Sequence, residues 1–337
     1  MKCVQFEASG EPCDVLQHAD RDEPTAKYGE VVVRMLASPI NPSDMMFVRG
    51  IYGVQPQPPQ IPGFEGVGIV EASGGGLKGK LFAGKRVAVL NKAGGNWAER
   101  TAVPADQVIP LSNKLSVEQA ATFFVNPATA WIMTQEVLRV TRGAWLLQTA
   151  ATSSLGKMVI RLGRALGFRT LNIVRRESAV DALKSAGATA VVVFDAERDS
   201  AASLQKSVAR IVGSDGLGYA IDPVGGLTAS AVAQSLTADG RLLLYGTLTN
   251  QPLQFSPRTL MQNQAAIEGF WLGNFMSNKG LLYKLRLVKR ITRLILDGTL
   301  ATDIQSTYPL EEIHSAVLAA EKSGRTGKTL LKMSSGM

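Results

Sequence analysis

Between positions 145 and 156 the chain reads WLLQTAATSSLG: a short apolar run, a turn of small and hydroxyl-bearing residues, then the start of a helical pattern. Strand, turn and helix in that order can bind a dinucleotide pyrophosphate, because backbone N–H groups and the positive helix end meet the anion there. The usual GxGxxG pattern has become Ala151, Ser153 and Gly156. All three are small enough for close approach, and the hydroxyls of Thr152, Ser153 and Ser154 add donors. A capped helix after any buried strand would carry the same residues, so the turn alone leaves both readings open.

The next apolar run, LNIV (171–174), ends in Arg175 and Arg176, roughly twenty residues past the turn, where an acid would hold the ribose hydroxyls of NAD. Two guanidiniums at that point suit a 2′-phosphate, since arginine offers bidentate, permanently charged hydrogen bonds. The plainer alternative is a strand end facing water. Turn and arginines at this separation together point to NADPH.

The surrounding pattern gives the elements that carry these groups. Up to about residue 110, short β-branched runs at 31–36, 67–71, 86–90 and 108–110 are separated by turn residues, so this half is mostly β and loop. Helix-length segments follow at 117–124 and 128–138. Strands at 145–148, 170–174, 190–194, 218–221 and 241–245 then alternate with helices at 155–166, 179–186, 201–212 and 229–236. That alternation means βαβ crossovers and a parallel, doubly wound sheet. Further on, Leu281, Leu285, Val288 and Ile295 predict one face of a docked helix, with Lys284, Arg286, Lys289, Arg290 and Arg293 solvated. Residues 328–332 read as a strand returning to a sheet built earlier.

A length of 337 residues fits about two domains. At 45% hydrophobic and 19% charged, the chain is too apolar for disorder. A net charge of +8 favours anionic partners. The basic residues are scattered, with no RNP, zinc-finger or basic-zipper pattern, so no nucleic acid partner is expected, and a phosphorylated small molecule fits the charge equally well. Cys3 and Cys13 form neither a disulfide framework nor a metal cage, and imply a reducing compartment. His18 and His314 are too far apart in sequence to suggest a shared metal. No apolar run is long enough for a membrane span, and MKCVQFEASG lacks a signal-peptide core. The expected location is cytoplasmic, or the mitochondrial matrix if a transit peptide has been removed.

NPSD (41–44), PGFEGVGIV (62–70), AAT (120–122), VNPATAW (125–131) and the βαβ run resemble the medium-chain dehydrogenase/reductase superfamily over essentially the whole chain. RGIYG (49–53), LNIVRRE (171–177), LLLYGTL (242–248) and EGFWL (268–272) are similar to its zinc-free, mitochondrial-type 2-enoyl thioester reductases. Quinone oxidoreductases share this frame. The resemblance implies an α/β fold: a Rossmann-type doubly wound domain at 124–275 and a mostly β GroES-like catalytic domain from 1–123 and 276–337.

The implied reaction is hydride transfer from NADPH to the β-carbon of an enoyl thioester, with protonation at the α-carbon by Tyr52. A phenol is protonated at neutral pH and can donate to a carbanion-like centre. Without the resemblance, Tyr52 is a loop tyrosine between Gly50 and Gly53. The resemblance also places Asn126, Thr152, Ser153, Ser154, Leu155, Arg175, Arg176, Glu177, Tyr245, Gly246, Thr247, Leu248, Phe270, Trp271, Leu272 and Lys328 around the cofactor. Asn126 could instead cap a helix before Pro127, and Phe270 and Trp271 could be core or subunit contacts. Arg176 and Glu177 depart from the family, which often carries an acid and then a base there. Zinc alcohol dehydrogenases need a thiolate and an imidazole where this chain has Asn41 and Phe64, so no metal is expected. An apolar edge strand near 268–272 implies a homodimer. Quinone or small enone reduction and noncatalytic NADPH binding are the alternative functions.

Overall fold

The computed structural model describes residues 1–333, so the end of the expected 276–337 segment lies outside the described residues. Seven strands open the described chain: β1 (Lys2–Gln5), β2 (Gln17–Asp20), β3 (Glu30–Pro39), β4 (Glu65–Ser73), β5 (Arg86–Leu90), β6 (Arg100–Pro104) and β7 (Val108–Pro110). Six follow: β8 (Trp145–Gln148), β9 (Arg169–Val174), β10 (Ala190–Val193), β11 (Tyr219–Asp222), β12 (Arg241–Leu244) and β13 (Ala266–Gly269). β14 (Ile304–Pro309) and β15 (Lys328–Lys332) close the described chain. The chain divides into two compact units, Met1–Val125 with the segment from Ala301 onward, and Asn126–Leu300.

In the first unit a seven-stranded sheet runs β14-β15-β3-β4-β5-β7, with β6 also paired to β3. β3 is its spine. The run EVVVRMLASP is buried along most of its length and pairs antiparallel with β4, β6 and β15. Val31, Val33 and Met35 of β3 pack with Phe6, Phe47 and Trp97 in one core. The helix Pro42–Val48, hidden from sequence inspection inside NPSD and its sequel, buries Met45, Phe47 and Val48. Pro42 at its first position fits, since an N–H there has no helical partner.

The second unit is the expected parallel sheet, in the order β10-β9-β8-β11-β12-β13. All four residues of β8 are buried, as required of a strand covered on both faces. The helix Ser154–Leu166 starts on a Ser153 cap and stops at Gly167, whose φ of 82° is the left-handed conformation glycine tolerates. Strand order reverses between β8 and β11, the switch point where such sheets bind ligands at their carboxyl ends.

Three expectations change. The second unit continues to Leu300 rather than ending at 275, because the helix Leu281–Leu296 is tied into it. Tyr283 Oη donates to Glu136 Oε2 at 2.6 Å, Arg290 lies 4.6 Å from the Trp131 ring centre, and Arg161 Nη1 donates to Gly298 O at 3.2 Å. The buried face of that helix is Leu287, Ile291, Leu294 and Ile295, whereas Leu281 and Leu285 are exposed. A stripe at i, i+4, i+7 and i+8 won over the one read from the leucines. Finally, the expected helix at 128–138 is an α-helix, Val125–Trp131, running into a π-helix, Ile132–Val137. Thr134 Oγ1 donates to Ala130 O at 2.8 Å and Leu138 N–H reaches back to Met133 O at 2.9 Å. A hydroxyl competing for a helix carbonyl loosens the regular ladder.

Candidate active site

Three segments of the first unit bring polar side chains into its core. Asp44 is fully buried and Glu65 is 2% exposed. Lys328 is also buried, and its Nζ donates to Asn41 Oδ1 at 2.7 Å. Asn41 Nδ2 reaches Glu65 Oε2 at 3.4 Å. Asp44 accepts the backbone N–H groups of Asn41 at 2.7 Å and Phe64 at 3.0 Å. Burial pushes both carboxyls up and the ammonium down, and their opposite charges oppose each shift. The cluster survives in a core because each member has hydrogen-bond partners.

Tyr52 follows the helix that Asn41 and Asp44 begin. Half-buried, it packs against this core with its ring 5.4 Å from that of Phe64. Burial, helped by the Asp44 carboxylate, pushes its phenol up to about 12. Tyr52 therefore holds its proton at neutral pH, as a proton donor must.

At the switch point of the second unit, Thr149 Oγ1 donates to Asp222 Oδ1, joining the ends of β8 and β11. Asp222 Oδ2 accepts the Gly225 N–H at 2.7 Å. The turn above them is tight. A Cβ on Gly156 would lie 2.5 Å from the Ala151 carbonyl oxygen, closer than real Cβ contacts allow. Ser153 Oγ accepts the Gly156 N–H at 3.0 Å, leaving its own O–H to donate outward. Thr152 is exposed, Ser154 begins the helix, and Leu155 is buried, so it can offer only its backbone. This small, donor-rich turn fits a pyrophosphate.

Arg175, Arg176 and Glu177 are all exposed immediately after β9. Tyr245, Gly246, Thr247 and Leu248 follow β12, with the Tyr245 N–H on Asp222 O at 2.9 Å. Phe270 is buried and lies in a row with Phe275 and Tyr283, at centroid separations of 5.9 and 6.4 Å. Trp271 is exposed, and Leu272 opens a short helix. Asn126 is the second residue of the helix Val125–Trp131 rather than its cap. The turn, the arginines, the loop after β12 and residues 270–272 thus all belong to the unit that carries the switch point. Tyr52 and Lys328 belong to the other unit.

Sequence inspection passed over Glu65, Asp44, Thr149 and Asp222 as functional residues. For Glu65 a signal existed, a lone acid inside the apolar, glycine-spaced run PGFEGVGIV. The residues do not fit zinc. Asn41 is engaged by an ammonium, Phe64 has no ligand atom, and the described residues hold no group of three or more His, Cys, Asp or Glu placed for a metal.

Residues 27–113 match the alcohol dehydrogenase GroES-like domain and residues 154–286 the zinc-binding dehydrogenase family. Human mitochondrial enoyl-acyl-carrier-protein reductase is 30% identical over 337 residues, covering 99% of this chain and 89% of its own. A structure of Etr1p with NADP and crotonyl-CoA superposes with a TM-score of 0.82 at 26% identity, over 98% of this chain and 99% of that one. Escherichia coli quinone oxidoreductase, solved with NADPH, shares the fold at a TM-score of 0.88 and 23% identity, over 98% and 100% of the two chains. The chain belongs to the medium-chain dehydrogenase/reductase superfamily, as an NAD(P)-dependent oxidoreductase.

Proposed function

We propose that this protein reduces the C=C bond of a 2-enoyl thioester with NADPH. The observation that carries the reading is Tyr52: a protonated, half-buried phenol seated on Phe64, in a unit whose metal positions are Asn41 and Phe64. The likeness to the human enzyme and to the crotonyl-CoA complex supports the substrate class.

Bound NADPH would supply the hydride. The turn at Thr152, Ser153 and Ser154 and the N–H groups of the helix Ser154–Leu166 would hold its pyrophosphate, with Arg175 at the 2′-phosphate and Asn126 at the nicotinamide or its ribose. Addition of hydride at the β-carbon breaks the π bond and moves its electron pair to the α-carbon and thioester oxygen. Tyr52 then gives its proton to the α-carbon, and the phenolate recovers a proton from water. Its raised proton affinity favours the phenol over the phenolate at neutral pH.

β13 lies at an edge of the six-stranded sheet, with exposed Met261 and Trp271 close in sequence. An open edge invites pairing, and a homodimer formed through it is part of this proposal. Light scattering at micromolar concentration should give twice the 35.9 kDa chain mass; a monomer contradicts it.

Tyr52→Phe keeps the ring and deletes the acid. General acid catalysis is worth about 10² to 10⁴ in rate, so kcat on crotonyl-CoA should fall by about that factor while NADPH affinity holds. Quinone reduction, which can draw its protons from water, should fall far less. A variant within about twofold of the parent on crotonyl-CoA, against the 10²-fold expected of a lost acid, would transfer the assignment to quinone or enone reduction.

Arg175→Ala removes charge-assisted hydrogen bonds of about 1.5 to 3 kcal/mol each. The KM for NADPH should rise about tenfold or more, with little change for NADH. Equal KM values for the two cofactors in the parent enzyme would refute the 2′-phosphate assignment.

A further inference from the structure

Glu65 opens β4 at 2% exposure, where a bare carboxylate would be prohibitively costly. Its Oε1 accepts two consecutive backbone N–H groups, Phe124 at 2.9 Å and Val125 at 2.8 Å. Its Oε2 takes the Asn41 amide, whose oxygen holds the buried ammonium of Lys328. Val125 is the last residue of the first unit and the first of the helix Val125–Trp131, and Asn126 is the next residue along. The amides at and just before a helix start have no partner within the helix. Here one carboxylate satisfies both, and an acid is also favoured there by the helix dipole. Hydrogen bonds from adjacent amides to one carboxylate fix where this helix begins.

We propose that Glu65 is a positioning residue for the cofactor: by holding the amides of Phe124 and Val125, it sets where Asn126 presents its side chain to the nicotinamide end of NADPH. This role rests on the NADPH reading above. The Lys328 ammonium and the Asn41 amide oppose the upward push of burial on the Glu65 carboxyl and orient it toward the two amides.

The test separates the two ends of the cofactor. Adenosine 2′,5′-bisphosphate carries the 2′-phosphate but no nicotinamide, and so reads the arginine end alone. In Glu65→Gln the Kd for NADPH, measured by fluorescence titration, should rise at least about tenfold, equivalent to 1.4 kcal/mol. The Kd for adenosine 2′,5′-bisphosphate should stay within about twofold, well below that tenfold step. Asn41→Ala removes the side-chain link while keeping Glu65 and the Asn41 backbone N–H, and should shift NADPH affinity in the same direction by less. It decides the matter if Glu65→Gln does not fold. Equal weakening of both ligands would mark a general structural defect and overturn the role, as would unchanged NADPH binding in both variants. A parent chain that binds neither ligand overturns the cofactor reading itself, and is thereby told apart from failure of the Glu65 role.

Discussion

Two carboxylates and one ammonium buried together are the constraint around which the first unit is laid out. An ion left without a partner in a core costs several kcal/mol. Asp44 and Glu65 therefore oblige chain segments far apart in sequence to converge. Asn41 and Phe64 supply amides to Asp44, Phe124 and Val125 supply amides to Glu65, and β15 delivers Lys328. The helix that leads to Tyr52 starts in this knot, and so does the segment that leads to Asn126. Asn41, engaged by that ammonium, and Phe64 offer zinc neither a thiolate nor an imidazole.

The second unit solves a different problem, bringing backbone donors to a phosphate at the end of a buried strand. Thr149 and Asp222 tie the two strands at the switch point, and the absence of a side chain at Gly156 lets helix and turn close on each other. Each unit thus carries one part of the proposed chemistry, the proton on Tyr52 and the cradle for the hydride donor.

The parallel sheet was legible because strands covered on both faces read as uninterrupted apolar runs, 145–148 being placed to the residue, as were the helix 201–212 and, in the other unit's sheet, the strand 328–332. What escaped depends on distant partners. β1 and β2 pair with each other across the helix between them, and little in QHAD marks a strand. The π-helix carries a threonine hydroxyl bonded back to Ala130 O, a competition that periodicity does not report. The helix Leu281–Leu296 carries more leucines than one face can bury, so the face was misread. Tyr52 and most of the proposed cofactor residues could be named only through family likeness, and Glu65, though a lone acid in an apolar run, gave no sign of its amide partners, since an isolated acid in a strand ordinarily faces water.

The proposed reaction sends hydride to the β-carbon and a proton to the α-carbon of a thioester. It is tested most directly by reducing crotonyl-CoA with NADPH deuterated at the transferred C4 position, in ordinary water, and locating the label by NMR. One deuterium is expected at C3 of butyryl-CoA and none at C2, with the pattern reversed for unlabelled NADPH in heavy water. Deuterium at C2, or no reduction of the thioester while a quinone is reduced, would contradict it.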